Sequence, residues 1–375
     1  MRLSPALAGL IMALLWTSQS TAAEHVDIRE WEVPWNESGP RDPFVEPSGR
    51  VWFVGQRGHY IASLNPEGGE FARYELDPGT GPHNLIVAGD GPDAIVWYAG
   101  NRTSHIGRLN PRTGAIQKFP MPDERARDPH TLVFDADGNI WFTVQGGNFV
   151  GYLETQPGTV TLLQVPTVGA RPYGIALNST GEPWVVEFGS NKLIRVDRDA
   201  MTLEEIELPD AGSRPRRLAI TSDDNVWYVD YALGRLGRHT PADGSFTEWD
   251  LPAGGQSQPY GMAVDRNDRL WLVETGVAPN RFVGFDTASE KFISGTDVPS
   301  GGGRIRHMYY HEPSGEIWFG TDTNNVGRAK VHYDPVRRYS HTVNSMVRRR
   351  HRIRERTTAG PYWRPGPTRL YRLPF

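Results

Sequence analysis

The segment Ile140-Trp141-Phe142 decides the fold, because its pattern of an apolar residue, a tryptophan and a second apolar or aromatic residue recurs along the chain. The other copies are Val51-Trp52-Phe53, Val96-Trp97-Tyr98, Pro183-Trp184-Val185, Val226-Trp227-Tyr228, Leu270-Trp271-Leu272 and Ile317-Trp318-Phe319. The seven tryptophans lie 43 to 47 residues apart. This period is typical of one four-stranded propeller blade. We therefore predict an all-β, seven-bladed β-propeller over residues 24–331, with the tryptophans packed between blades.

Each tryptophan has a similar neighbourhood. A pair such as Pro129-His130 or Pro172-Tyr173 opens an apolar strand about 12 residues earlier, and a polar turn separates the two strands. The seventh unit lacks a fourth strand, whereas residues 28–34 resemble the fourth strands and precede the first unit. We expect this N-terminal strand to complete the last blade and close the ring.

The ends of the chain differ from the repeat. A positive residue, an apolar stretch and small residues over positions 1–23 are typical of a cleaved signal peptide, which predicts a periplasmic or secreted protein. No later segment is apolar enough to span a membrane. Residues 332–375 contain 11 arginines against Asp334 and Glu355, and we expect a basic, disordered tail.

Composition excludes several classes of site. The chain has no cysteine, so disulfides, thiolate nucleophiles and cysteine-bound metals are excluded. The net charge is −4 although the tail is strongly basic, so the predicted propeller is acidic and does not favour nucleic-acid binding. No motif indicates an organic cofactor. We expect a monomer that binds a small-molecule or peptide-like ligand.

Propeller geometry predicts where that ligand binds. The innermost strand of a blade begins at the face where the second strand ends, so residues at both points surround one channel mouth. From the strand starts we expect His83, His130, Tyr173, Arg216, Tyr260 and His307 there. From the strand ends we expect Glu187, Asp230, Glu274 and Asp322. Of these, Glu187, Asp230 and Glu274 could hold Mg²⁺ or Ca²⁺, which prefer carboxylate oxygens.

Two units resemble the blades of a known family. They are Arg171-Pro172-Tyr173-Gly174-Ile175 with Trp184-Val185-Val186-Glu187, and Gln258-Pro259-Tyr260-Gly261-Met262 with Trp271-Leu272-Val273-Glu274. They look like blades of virginiamycin B lyase (streptogramin B lyase), and the likeness covers residues 28–331. The resemblance implies elimination at an ester linkage of a cyclic depsipeptide, assisted by a divalent metal, a histidine and glutamates.

The family's functional residues carry over only in part. By motif, the histidine of the final blade falls on His307, and the glutamate after the last tryptophan falls on Asp322. The glutamate two residues before the histidine falls on Ile305, and the histidine of the sixth blade falls on Tyr260. The resemblance therefore favours a substrate other than a streptogramin.

Two classes of function remain open. In the first, an exported lyase uses His307 for proton transfer, Asp322 and Glu274 as metal or base partners, and Arg306 and Arg216 as substrate anchors; a metal-dependent lactone or ester hydrolase is a variant. In the second, a non-catalytic propeller binds a sugar, a peptide or a cell-wall fragment. A carboxylate within hydrogen-bond reach of His307 would favour the lyase, and its absence would favour binding.

Overall fold

The computed structural model describes residues 26–36 and 38–332. The predicted signal peptide and residues 333–375 of the predicted tail lie outside the described residues, so export and tail disorder stay predictions. Within the described part, no helix is long and apolar enough to cross a membrane.

The described chain forms seven four-stranded antiparallel sheets, which confirms the predicted seven-bladed propeller. Blades one to three comprise β2 Pro40–Val45, β3 Val51–Gly55, β4 Tyr60–Asn65 and β5 Glu70–Glu75; β6 Leu85–Ala88, β7 Ile95–Gly100, β8 His105–Asn110 and β9 Ala115–Pro120; β10 Pro129–Phe134, β11 Ile140–Val144, β12 Phe149–Glu154 and β13 Thr159–Gln164. Blades four and five comprise β14 Pro172–Leu177, β15 Pro183–Glu187, β16 Lys192–Asp197 and β17 Thr202–Glu207; β18 Pro215–Ile220, β19 Val226–Asp230, β20 Arg235–Thr240 and β21 Ser245–Asp250. Blades six and seven comprise β22 Pro259–Val264, β23 Arg269–Glu274, β24 Arg281–Asp286 and β25 Lys291–Asp297; β26 Met308–His311, β27 Glu316–Gly320, β28 Asn325–Val331 and β1 Val26–Glu32. Three short 3₁₀ helices lie in loops, at Gly91–Asp93, Asn101–Thr103 and Gly254–Gln256.

In blades one to six the innermost strand is the first in chain order. In blade seven the innermost strand is β26, because β1 lies at the outer edge. Neighbouring innermost strands contact each other around the whole ring, so together they wall the central channel. The strand β1 pairs with β28, from Val26 opposite Val331 to Glu32 opposite Asn325, and forms the outer edge of blade seven. The first and last described strands thus share one sheet.

The tryptophans of the repeat are buried between blades. Trp141 packs in one cluster with Ile175 and Val185 of blade four, and Trp52 packs with Leu85 and Val96 of blade two. Trp318 of blade seven packs with Phe53 of blade one. The recurring tryptophan is therefore the joint between consecutive blades, as the repeat predicts.

Candidate functional site

A β-bulge shapes the channel end of five innermost strands. In blade five, Pro215 pairs with Asp230 and Arg217 with Val229, so Arg216 is an extra residue; blades one, three, four and six have similar register shifts. An extra residue breaks the alternation of a strand and re-aims the side chains beside it. Arg216 accordingly contacts Tyr173 and Tyr260 of the neighbouring blades, and Arg217 reaches across the channel to Asp42.

One carboxylate lies at the centre of the resulting cluster. Asp42 is fully buried and accepts a hydrogen bond from the neighbouring Arg41 (Nε to Oδ1, 3.1 Å). Its Oδ2 lies 3.4 Å from Nη2 of Arg217 and 3.8 Å from Nδ1 of His83, and accepts a hydrogen bond from Asn84 at 3.1 Å. Blades one, two and five therefore meet at Asp42.

Aromatic rings continue this cluster around the axis. The rings of His83 and His130 are 3.5 Å apart between centroids, and those of His130 and Tyr173 are 3.9 Å apart. The hydroxyls of Tyr173 and Tyr260 are hydrogen-bonded to each other. We call the set Arg41, Asp42, His83, His130, Tyr173, Arg217 and Tyr260 the plug, because all seven are buried across the channel.

Burial and the arginines set the protonation of the plug. Burial lowers the pKa of His83 and His130 well below the usual value, and Arg41 and Arg217 lower both further. Burial alone would raise the pKa of Tyr173, but Arg216, Arg217 and Arg41 outweigh it and the pKa is lowered. The histidines are therefore neutral near pH 7, and the field at Tyr173 is positive.

Arg216 lies partly exposed on the plug. Its guanidinium is 3.7 Å from the ring centroid of Tyr260, 4.3 Å from that of Phe188 and 4.4 Å from that of Tyr231. Of the predicted mouth residues, Arg216, Arg306 and His307 keep some exposure, whereas His83, His130, Tyr173 and Tyr260 are buried. A ligand arriving at the mouth therefore meets Arg216 and Arg306 first, whereas His307 lines the cavity on the other side of the plug.

The structure does not bring together His307, Asp322 and Glu274, the residues predicted to transfer a proton or to bind a metal. Among the described residues, no carboxylate lies within hydrogen-bond reach of His307, whose Nδ1 is buried without a partner. Asp322 forms a two-point ion pair with Arg306, Nη2 to Oδ2 at 2.7 Å. Glu274 is fully buried and accepts a hydrogen bond from the backbone of Ala253 at 2.8 Å. Burial, with Arg217, lowers the pKa of His307 to about 4.

The acids predicted to hold a metal lie one strand outward from the plug. Glu187, Asp230 and Glu274 pair with the prolines that open the innermost strands and are fully buried. Asp230 accepts backbone N–H groups of Arg214 and Ala232, each at 3.0 Å. Burial raises the pKa of Glu187 to about 7.

These acids do not fit a shared metal ion. In the described ranges, no three histidine, aspartate or glutamate side chains group as metal ligands. Each acid instead accepts a hydrogen bond from a nearby residue: Glu187 from Ser190, Asp230 from Arg214 and Glu274 from Ala253. Metal binding at Glu187, Asp230 and Glu274 stays a prediction.

Beneath the plug, the channel is a mainly apolar cavity of about 590 Å³. Asn84, Thr131 and His307 line it near the plug, and Phe134 and Leu177 line it at the far ends of their strands. Arg217 fastens the plug above it, donating hydrogen bonds to the backbone oxygen of Arg306 and to Thr131 Oγ1, each at 3.0 Å. The plug thus separates the mouth from the channel.

Sequence reasoning missed Arg41, Asp42 and Arg217. The sequence pattern predicted one side chain per blade at the axis, whereas the bulges bring two consecutive side chains there from several blades. The available signal was a pair of adjacent charged residues, Arg41-Asp42 and Arg216-Arg217, at the start of a strand that is otherwise largely apolar. Strict alternation cannot place both members of such a pair on one face.

Comparison with known proteins adds a family match. The model of the virginiamycin B lyase family matches residues 17–279. No curated protein sequence matches the chain.

Solved structures of similar fold include virginiamycin B lyase from Staphylococcus aureus, at 23% identity and a TM-score of 0.73, covering 82% of this chain and 100% of that chain. A catalytically inactive variant of that lyase with quinupristin has 24% identity, a TM-score of 0.74 and the same coverage. YCF48 bound to D1 peptide has 10% identity and a TM-score of 0.63, covering 84% of this chain and 96% of that chain. At these identities the likeness shows the fold alone.

Proposed function

The chain belongs to the virginiamycin B lyase family, as its repeat suggested, and we propose that it binds a small ligand at the channel mouth. One observation carries this proposal: side chains from several blades converge there beneath a partly exposed layer that includes Arg216 and Arg306. A concave surface with convergent polar groups is the usual form of a ligand site.

The geometry favours binding over elimination by the residues that the family resemblance indicated. His307 has no described carboxylate to orient it, and Asp322 is held by Arg306. Ile305, at the position of a family glutamate, is fully buried, and its backbone oxygen accepts a hydrogen bond from Gly261. A general base is normally oriented by a hydrogen-bond partner about 2.6–3.2 Å away, and His307 has none at its Nδ1 among the described residues.

A lyase reaction through other groups is the second candidate, favoured by Arg216 and Arg217, whose guanidinium groups lie 5.2 Å and 5.3 Å from the ring centroid of Tyr173 and lower its pKa. In that reaction the ionised Tyr173 oxygen would take a proton from the carbon next to a carbonyl, and the bond between the adjoining carbon and the ester oxygen would break, with that oxygen keeping the electron pair and leaving as a carboxylate. The reaction forms a double bond and needs no co-reactant. Tyr173 is 3% exposed, however, so the plug would have to open first.

The test combines binding with turnover on the full chain. Peptides, oligosaccharides, cell-wall fragments and cyclic depsipeptides are offered with Mg²⁺ or EDTA, and products are followed by mass spectrometry. Hydrogen exchange is measured over residues 211–217 and 301–307. We expect at least one compound to slow exchange in both segments without forming product.

Two outcomes would overturn the proposal. Absence of slowed exchange with every class would remove ligand binding at the mouth. Product that forms with the wild type and is lost in His307→Ala, but not in the exposed-surface variant Arg57→Met, would establish the lyase through His307 instead.

A further inference from the structure

The charges in and on the plug do not balance. Arg306 is neutralised by Asp322, and Arg41 and Arg217 share the carboxylate of Asp42, with Asp128 acting on Arg41 from further away. The neutral histidines add no charge. In the described chain, no acid lies within ion-pair distance of Arg216.

The unbalanced charge has free hydrogen-bond donors. Arg41 is 6% exposed, and its Nη1 donates to Gln56, but its Nη2 is buried without a partner. The Nε of Arg216 is likewise buried without a partner. Buried charges are normally paired, and leaving one unpaired is strongly unfavourable.

Both arginines act on the same pair of rings. The guanidinium of Arg216 lies over Tyr260 and 5.2 Å from the ring centroid of Tyr173. Arg41 interacts electrostatically with both tyrosines as well. Arg216 therefore borders the hydrogen-bonded tyrosine pair directly, and Arg41 acts on the same pair through its charge.

From this geometry we propose that the ligand carries a carboxylate, which the partly exposed Arg216 binds beside the Tyr173–Tyr260 pair while Arg41 adds positive charge from within the plug. This inference rests on the proposed function, since it names the chemistry of the ligand at the same mouth. Guanidinium groups present their N–H donors in a planar fork that matches a carboxylate. The aromatic rings around Arg216 hold its fork in place, so little freedom is lost on binding.

The lowered pKa of Tyr173 agrees with this site. A positive field strong enough to outweigh burial at a tyrosine also attracts a bound anion. An anion at the site would weaken that field and raise the pKa of Tyr173 again. Ultraviolet absorbance of tyrosinate can follow that change.

The experiment uses glucuronate and glucuronamide as probes, because they differ only in the charge of one group. Binding to the full chain is measured by calorimetry at constant ionic strength. We expect glucuronate to bind at least tenfold more tightly than glucuronamide and to raise the pKa of one tyrosine. Arg216→Met should remove the preference and Arg41→Met should reduce it, whereas Arg112→Met, at an exposed turn between β8 and β9, should keep it.

Thermal unfolding of the variants separates a binding role from a structural one. Methionine can fill the space inside the ring of aromatic side chains around Arg216, so Arg216→Met should unfold at a temperature no lower than that of the wild type. Loss of the glucuronate preference in a variant of unchanged stability would support the inference.

Three outcomes would overturn it. Equal affinity for both probes would leave ligand binding at the mouth in place and remove the carboxylate. Failure of both probes to bind, with an unchanged tyrosine titration, would remove the anion site, while the exchange experiment above tests the mouth independently. A preference kept in Arg216→Met would place the anion elsewhere.

Discussion

Two positions recur in every blade, and they differ in how far the residue type varies from blade to blade. The tryptophan of the second strand is the same residue in all seven blades and packs between neighbours. The start of the innermost strand differs: the predicted residues there are His83, His130, Tyr173, Arg216, Tyr260 and His307, and Asp42 occupies the corresponding region of blade one. Both positions are largely buried.

The difference separates folding from recognition within one sequence. Seven copies of one supersecondary unit need the same joint, because each blade packs against another like itself. The channel has only one axis, so residues that meet there must complement one another and cannot all be alike. The variable position is therefore where an individual ligand can be specified.

The largest effect is expected at the repeated position. Trp141→Ala removes a side chain that is 2% exposed and packs between blades three and four, so we expect a loss of about 4 kcal/mol in the free energy of unfolding. Chemical denaturation of the full chain measures it. Val168→Ala, at a side chain 96% exposed, should change stability by less than about 0.5 kcal/mol. Equal losses of unfolding free energy in the two variants would show that the repeated tryptophan stabilises the fold no more than an exposed side chain does.

A smaller effect is expected at the plug. Asp42→Asn leaves Arg41 and Arg217 buried without a charged partner, and we expect a loss of about 3 kcal/mol near pH 7. Burial would raise the pKa of Asp42, but Arg41 and Arg217 outweigh it and the pKa is lowered. The stability that Asp42 contributes is therefore present above its unfolded pKa of about 4 and is lost as pH falls below it.

Denaturation curves between pH 3 and pH 8 check this pH dependence. The gap between Asp42→Asn and the wild type should be constant from pH 5 to 8 and should narrow below about pH 4. A gap that does not change with pH would mean that Asp42 acts through its shape and not through its charge.

The smallest effect is expected at the end of the second strand, where blades four, five and six each carry a buried acid. Glu187, with its pKa raised to about 7 by burial, stays protonated when the unfolded chain has already ionised. Stability should therefore fall between about pH 4.5 and 7, by roughly 2–3 kcal/mol. Glu187→Gln should lack this fall and be more stable than the wild type at pH 8, as measured by denaturation. The exposed substitution Glu154→Gln should follow the wild type, and if Glu187→Gln does too, Glu187 is not buried as described.

The fold was predictable because the tryptophan spacing counts blades directly. Part of the site was predictable too, since His83, His130, Tyr173 and Tyr260 do meet at the axis. The second residue of each bulge was not, because a one-residue register shift depends on pairing with the next strand. The partners of Glu274 and Asp322 likewise lie on loops whose positions a local pattern does not determine.

The pairing of β1 with β28 has a consequence for the order of assembly. Val26 cannot meet Val331 until all the intervening chain has been synthesised, so the first described strand is among the last of the described strands to find its partner. Closing a loop of that length costs roughly 5 kcal/mol of chain entropy, which the completed sheet must offset. Until then blade seven has an open edge, and a segment of another molecule could occupy it. Ring closure is thus the step at which two copies of this chain could exchange strands.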